Sequence, residues 1–365
     1  MLSYCTNVHP AEDLDGILGQ LDRYALPVRE RLGADRLGLG LWLAADVAAE
    51  LAADRASRLR LRRELDWRGL AVQTLNAFPY GGFHDEVVKH AVYHPRWTDP
   101  ARLRYTLDCA AVLADLLPPD AAYGSISTLP LGWREPWNAF SDRRAAVALD
   151  EVTRILRTRD RPIRLAIEPE PGCVLDTAAD AVGWLADRVD PEFVGLCLDT
   201  CHLAVSFADP AGTVARIHRA GLRVVKVQVS AALEVAEPSS ARARAALEAF
   251  AEPRYLHQVR ELAAPGEVLA ADDLPEALTG LPATGPWRVH FHVPLHAAPA
   301  APLTATTGVI RETAAALAGS GDFPHLEVET YTWNVLPEPR QSLVDGIADE
   351  LRWASANLVT EGARR

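Results

Sequence analysis

The stretch VGLCLDTCH, residues 194–202, decides the reading of this chain. Five apolar or small residues run without a polar break into Asp199, and His202 follows three positions later. A strand that is apolar on both faces is covered on both faces, as in a parallel sheet flanked by helices. A carboxylate at the end of such a strand needs a partner, because removing a lone charge from water is costly.

Working outward, similar apolar runs occur at 3–8, 36–42, 70–77, 123–128, 163–168, 194–199, 224–229, 289–293 and 326–330. Most are separated by segments with apolar residues at helical spacing: 11–32, 46–65, 100–117, 139–157, 177–189, 210–220, 304–318 and 341–357. Alternating β and α units imply a parallel sheet with helical crossovers. About eight such units predict a closed (β/α)8 barrel, in which the C-terminal strand ends share one face and carry the chemistry. Nine strand-like runs compete for eight places, so either 289–293 or 326–330 supplies the last strand. The Pro- and Gly-rich region 253–286 breaks the rhythm and reads as an insertion after strand seven. Its hairpin-like pair is RYLHQV and EVLAAD around Pro265–Gly266. The expected organisation is one barrel domain over residues 1–365 with that insertion inside it.

Composition narrows the function. The 365 residues carry a net charge of −12, which disfavours binding to nucleic acid or to an anionic membrane surface. No apolar run is long enough to cross a bilayer, and the first residues lack the pattern of a secretory signal. Five cysteines without a CxxC pair fit reduced thiols, and a cytoplasmic setting is expected. Neither GxGxxG after the first strand nor GxxxxGK[ST] is present, so dinucleotide and P-loop readings lack support.

The strand ends supply the candidate chemistry. RLAIEPEPG puts Glu168 at the end of the fifth strand, with Glu170 in the loop beyond. Asp199 and His202 follow one βα unit later, a hard oxygen and a borderline nitrogen donor suited to divalent transition metals. In VVKVQVSAAL, Lys226, Gln228 and Ser230 share a face. In WRVHFHVPLH, His290 and His292 point the same way, with His296 beyond them. HLEVETYTW places Glu329 before a Tyr331–Trp333 cluster, suggesting a carboxylate in an aromatic-walled pocket that includes Trp333. The long third loop, 76–97, holds His84, Lys89, His90 and His94, and Lys89 is a candidate anion contact. Lys226 is either a second such contact or an interior partner of Glu168 or Asp199. Asn7, His9, Asn76 and Trp133 lie near other strand ends and are candidate pocket residues, with core packing the default for the tryptophan.

Taken in order, Glu168, Asp199-x-x-His202, the polar end of strand seven and Glu329 resemble the xylose-isomerase-like TIM barrels. These include sugar and sugar-phosphate isomerases and epimerases and the endonuclease-IV-like enzymes. CTNVHP, NAFPYGGFH, EPEPGC, LDTCH, KVQVSAAL, HFHVPLH and ETYTWNVLP together look most like the Ebo-cluster metabolite traffic proteins of that superfamily. The resemblance extends over roughly residues 2–359. It implies a divalent metal (Mn, Mg, Zn or Co) held by Glu168, Asp199 and Glu329. The family's strand-seven histidine corresponds to Gln228, so either Gln228 or His292 completes the set, or no metal binds tightly. It further implies Glu168 and Glu329 as the proton-transferring carboxylates and His202 as a histidine that contacts the substrate or the metal. The expected activity is isomerisation or epimerisation of a sugar, sugar phosphate or cyclitol-like polyol through an enediolate. The alternatives are a non-catalytic small-metabolite binder and a metal-dependent phosphodiesterase, the last opposed by the acidic charge.

Overall fold

A computed structural model describes residues 1–321 and 323–358 of the chain. The last residues of the expected domain, 359–365, lie outside the described residues. Among the described residues eight parallel strands close a barrel: β1 (Leu2–Cys5), β2 (Leu37–Trp42), β3 (Leu70–Asn76), β4 (Gly124–Thr128), β5 (Ile163–Ile167), β6 (Val194–Asp199), β7 (Val224–Val229) and, last, β13 (His325–Val328). Strand β13 pairs with both β7 and β1, so the run at 326–330 closes the cylinder. The chain is a TIM barrel of the kind the strand pattern predicts.

The run at 289–293 lies elsewhere. One residue after β7 the chain enters a second sheet, which is antiparallel and five-stranded. It comprises β8 (Ala231–Val235), β9 (Val259–Ala264), β10 (Glu267–Ala271), β11 (Trp287–Val293) and β12 (Leu303–Ala305), in the order β10-β9-β11-β8-β12. This sheet draws on residues 231–305, a wider span than 253–286. The expected hairpin turns at Pro265–Gly266, with Gly266 in the left-handed region. Its first strand, however, begins at Val259 rather than Arg254. Glu252 accepts hydrogen bonds from the backbone N–H of Arg254 (2.7 Å) and Tyr255 (2.9 Å), and Asp273 accepts one from His257 (3.1 Å). Side-chain oxygens thus satisfy donors that a strand would have used, and 254–258 lies over the barrel mouth instead.

The helices follow the apolar spacing, with two interruptions. The expected helix 11–32 is Leu14–Gln20, a π turn at Leu21–Ala25, and Leu26–Leu32. Pro27 has no N–H to offer the preceding turn, and the wider turn absorbs the mismatch. The expected helix 46–65 splits because Asp54 caps a new start, accepting from Ala56 and Ser57 N–H. No helix among the described residues is long and apolar enough to cross a membrane. All five cysteines are buried free thiols.

Inside the cylinder a polar layer lies below the mouth. Lys226 Nζ is 2.6 Å from Glu327 Oε2 and donates to Ser127 Oγ at 3.0 Å, with both ionic side chains fully buried. Gly40 faces this pair: a Cβ there would fall 1.0 Å from Glu327 Oε1. The absent side chain is what makes room for the carboxylate.

Candidate active site

Pro169 and Pro171 bracket Glu170 and cannot donate to the sheet ladder, so the backbone turns away after β5. Glu168 keeps one last ladder bond, its N–H to Thr128 O at 3.0 Å, and projects its carboxylate into the mouth. Asp199 ends β6 and caps the short helix Thr200–Val205. Its Oδ1 accepts from Cys201 N–H (2.7 Å), His202 N–H (2.9 Å) and Ser230 Oγ (2.7 Å), while Oδ2 makes no hydrogen bond. Glu329 follows β13, and its Oε1 accepts from the side-chain amides of Asn7 (2.7 Å) and Asn76 (2.8 Å).

Glu168, Asp199 and Glu329 each bring an oxygen within 4.8 Å of the other two, and all three are buried. The three respond differently to that crowding. Burial, with Glu329 and Asp199 beside it, pushes the Glu168 carboxyl well above the usual range. Burial and the nearby Asp199 and Glu327 raise Glu329 to about 8. Burial also opposes ionisation of Asp199, but the His202 and His292 imidazoles, Ser230 and the helix N–H outweigh it and hold that carboxyl below the ordinary value.

Three histidines complete the floor. His202 has Nδ1 2.8 Å from Pro169 O and Nε2 3.1 Å from His290 Nε2. His292, on β11, has Nδ1 2.8 Å from Glu329 O and Nε2 3.6 Å from Asp199 Oδ2. Burial lowers His292 to about 4, and burial with the adjacent imidazoles takes His290 well below the usual histidine range. Both are neutral imidazoles at physiological pH. Glu170 also turns inward, where its Oε1 accepts from Tyr93 OH at 2.6 Å.

Apart from Asp199, which touches Glu168 and Glu329 but not the open space, these groups line the base of a cleft that encloses about 530 Å³ together with its open mouth. Its walls are apolar and aromatic. Phe83 from the third loop, Tyr255 from the inserted segment and Tyr331 after β13 meet with ring centroids 4.9–5.5 Å apart. Phe78, Pro79, Val88, Val92 and Leu256 add further apolar surface to the walls.

The structure brings Asn7, Asn76, Glu168, Lys89, His202, His292 and Glu329 to this cavity. Other expected residues are placed elsewhere. His9 is buried against Tyr24 (rings stacked at 4.3 Å), and burial lowers it to about 3, so it is a neutral packing residue. His84 reaches Asn7 O at 2.7 Å but does not line the cavity. Lys226 is buried below the site on Glu327, not on Glu168 or Asp199. Lys89 reaches the rim, but Asp273 Oδ2 (2.6 Å) and Tyr255 O (2.7 Å) take its ammonium. Trp333 points away, its Nε1 donating to Glu350 at 2.9 Å, because the 3-10 turn Tyr331–Asn334 carries Tyr331 inward instead. Trp133 packs against His90 and Tyr93, and His296 bonds Gln341. Gln228 is fully buried level with Asp199 and Glu327, and neither amide atom has a hydrogen-bond partner.

Sequence reasoning noted His290 and Glu170 without giving either a role in the site, and passed over Gln258, Tyr93 and Tyr255. The alternation that placed His292 also placed His290. The others sit in irregular backbone, where no periodicity announces which way a side chain faces.

The geometry suits a divalent cation: buried carboxylate oxygens without hydrogen-bond partners converge beside neutral imidazoles. Comparison with known proteins agrees on the framework. No curated protein sequence matches this chain. Among solved structures, an L-ribulose 3-epimerase is 16% identical with a TM-score of 0.54, over 100% of this chain and 95% of that one. D-allulose 3-epimerase from Methylomonas sp., in complex with D-allulose, is 12% identical with a TM-score of 0.53, over 98% and 96%. A xylose isomerase-like TIM barrel protein from Mycobacterium smegmatis, in complex with magnesium, is 16% identical with a TM-score of 0.53, over 98% and 97%. At these identities the likeness is one of fold. Residues 30–252, more than half of the sequence, match the family described as xylose isomerase-like TIM barrel, and the chain belongs to that family.

Proposed function

We propose that the chain is a metal-dependent isomerase or epimerase that moves a proton on a small, uncharged, polyhydroxylated carbonyl compound. The observation that carries this reading is the meeting of Glu168, Asp199 and Glu329 within 4.8 Å at the base of an aromatic-walled cavity.

Glu168, Asp199 and Glu329 would hold the cation, with the His292 imidazole near Asp199 standing in for the family's strand-seven histidine. A divalent ion at that position supplies Lewis acidity toward a carbonyl oxygen and the neighbouring hydroxyl. The protein's own groups do the rest. Glu168 and Glu329, whose carboxyls burial and mutual crowding push above the usual range before any cation binds, would take and return the proton. Asn7 and Asn76 fix the orientation of Glu329. Pro169 O fixes the His202 ring, so that its Nε2 faces the cavity and orients a substrate oxygen. Phe83, Tyr255 and Tyr331 exclude water and offer an apolar face.

An uncharged substrate is supported by the fate of the lysines, since Lys89 is paired with Asp273 and Lys226 with Glu327. That pairing weighs against a phosphate ester, and so against the phosphodiesterase alternative. A second reading, a metabolite carrier like the Ebo-cluster proteins, draws on their shared motifs and on Gln228 in place of a metal-binding imidazole. One experiment separates the two. Wild type and Glu168→Gln, loaded with Mn²⁺, are incubated in deuterated water with a panel of free ketoses and keto-cyclitols. The enzyme reading expects carbon-bound deuterium with wild type and a loss of at least about 100-fold in the variant. Equal incorporation by both proteins removes Glu168 from the reaction, and none by wild type across the panel favours the carrier.

A further inference from the structure

The polar side chains of the cleft fall into two sets, those already committed to the protein and those left for a ligand. On the floor, Asn76 is committed at both ends: its Oδ1 accepts from Phe78 N–H at 3.0 Å and its Nδ2 donates to Glu329 Oε1 at 2.8 Å. Asn7 is committed at one end. Its Nδ2 donates to Glu329 Oε1 at 2.7 Å, whereas its Oδ1 is buried without a hydrogen-bond partner in a residue that lines the cleft. An amide oxygen only accepts, so Asn7 Oδ1 calls for a donor from the ligand, such as a hydroxyl. Because the same amide holds Glu329, that hydroxyl sits next to this carboxylate.

The walls offer little of the kind. Lys89 Nζ is taken by Asp273 Oδ2 and Tyr255 O. Tyr255 OH donates to Phe83 O at 3.1 Å. Tyr93 OH donates to Glu170 at 2.6 Å and accepts from Gln258 Nε2 at 2.9 Å. Tyr331, whose ring lies 4.7 Å from that of His292 on the floor, is the wall residue whose hydroxyl has no protein hydrogen bond. The remaining wall side chains, Phe78, Pro79, Phe83, Val88, Val92 and Leu256, are apolar.

A sugar carries a hydroxyl on nearly every carbon. Seated with its reacting end on the floor, it turns its distal hydroxyls toward these walls, and each one that leaves water without a partner weakens binding by roughly 10- to 100-fold. A methylene buried there instead strengthens binding by up to roughly fourfold.

We infer that the substrate of this site is an amphiphile, with a carbonyl flanked by hydroxyls at one end and an alkyl, alkenyl or aryl group in place of hydroxyls at the other. The inference rests on the proposed reaction only for which end meets the floor. Asn7 Oδ1 reads a hydroxyl of the polar end, and the Val88 and Leu256 walls receive the apolar one.

The test uses acyclic ketones that share one head and differ in tail: 1,3-dihydroxyacetone and the 1,3-dihydroxy-2-ketones of butane, pentane and hexane. Erythrulose, the butanone with one more hydroxyl on C4, is the matched polar probe. Each is titrated calorimetrically into the Mn²⁺-loaded full chain. Affinity is expected to rise roughly two- to fourfold per added methylene, and erythrulose to bind at least about tenfold more weakly than the dihydroxybutanone. Leu256→Ser is expected to flatten the dependence on tail length, with Val88→Ser as the second variant should the first fail to fold. Affinities independent of tail length overturn the inference, as do erythrulose binding as tightly as the dihydroxybutanone and no measurable binding of the dihydroxyhexanone. A tail dependence unchanged in both folded variants also overturns it, since the tails would then lie elsewhere. Deuterium uptake at C3 from deuterated water, followed on the same compounds, reports on the reaction separately. Rising affinity without uptake leaves the amphiphile standing and removes the proton transfer, and uptake with flat affinities does the reverse.

Discussion

His292 Nδ1 lies 2.8 Å from the backbone oxygen of Glu329, joining β11 of the antiparallel sheet to the end of the last barrel strand. That single bond turns the ring so that its other nitrogen faces Asp199.

The first prediction concerns this imidazole. His292→Ala is expected to weaken Mn²⁺ binding by roughly 10- to 100-fold, measured by calorimetric titration of the stripped protein. Adding Gln228→His to that variant returns an imidazole to strand seven and is expected to recover part of the loss. A double variant that binds no better than His292→Ala would show that the two positions are not interchangeable.

Gly40 gives the second. An alanine there collides with Glu327 Oε1 and forces the carboxylate off Lys226, leaving two buried charges poorly paired. Gly40→Ala is expected to cost about 3–5 kcal/mol in urea unfolding. A cost under about 1 kcal/mol would mean that the pair re-forms elsewhere.

Glu350 gives a pH dependence. It is buried without a cation, accepting hydrogen bonds from Thr330 Oγ1 (2.6 Å), Trp333 Nε1 (2.9 Å) and Leu295 N–H (3.2 Å). Burial raises its carboxyl from 4.5 to about 7, those hydrogen bonds notwithstanding. The folded state therefore holds this proton more tightly than the unfolded state. The stabilisation is complete below about pH 4.5 and is lost as pH rises to about 7, a fall of up to about 3 kcal/mol. Glu350→Gln has no proton to lose there. In chelator-containing buffer, wild-type minus variant unfolding free energy is expected to drop between about pH 5 and 8. A flat difference would remove Glu350 as the source.

The fourth prediction tests the rim. Lys89 and Asp273 are each about one quarter to one fifth exposed and tie the third loop to the inserted region. Lys89→Met and Asp273→Asn are each expected to destabilise by roughly 1 kcal/mol, discounted for solvent screening. The double variant is expected to cost little more than either single one, and full additivity would deny the coupling.

How far the sequence carried depends on what each pattern encodes. Strand alternation and helical spacing encode which face is buried, and the barrel follows from them. They do not encode direction or partner, so 289–293 and 326–330 looked equivalent until β11 paired antiparallel with β8 and β9. Parity placed Lys226 inside the cylinder but not its height, and its partner proved to be Glu327. The carboxylates that end strands, Glu168 and Asp199, were legible because a charge after an apolar run needs a reason. Tyr331 rather than Trp333 faces the cavity because a 3-10 turn rotates the chain, and periodicity of two ends with the strand. Tyr255 and Gln258 were hidden because backbone bound by side-chain oxygens follows no period.

The division of labour between the two sheets has an evolutionary corollary. The carboxylates of the proposed cation site ride on the cylinder that every strand needs in order to close, whereas the imidazole proposed beside them, His292, rides on β11, part of an appendage the closure does not use. Lengthening, trimming or re-registering that appendage would retune ion preference while leaving the cylinder's hydrogen-bond ladder untouched.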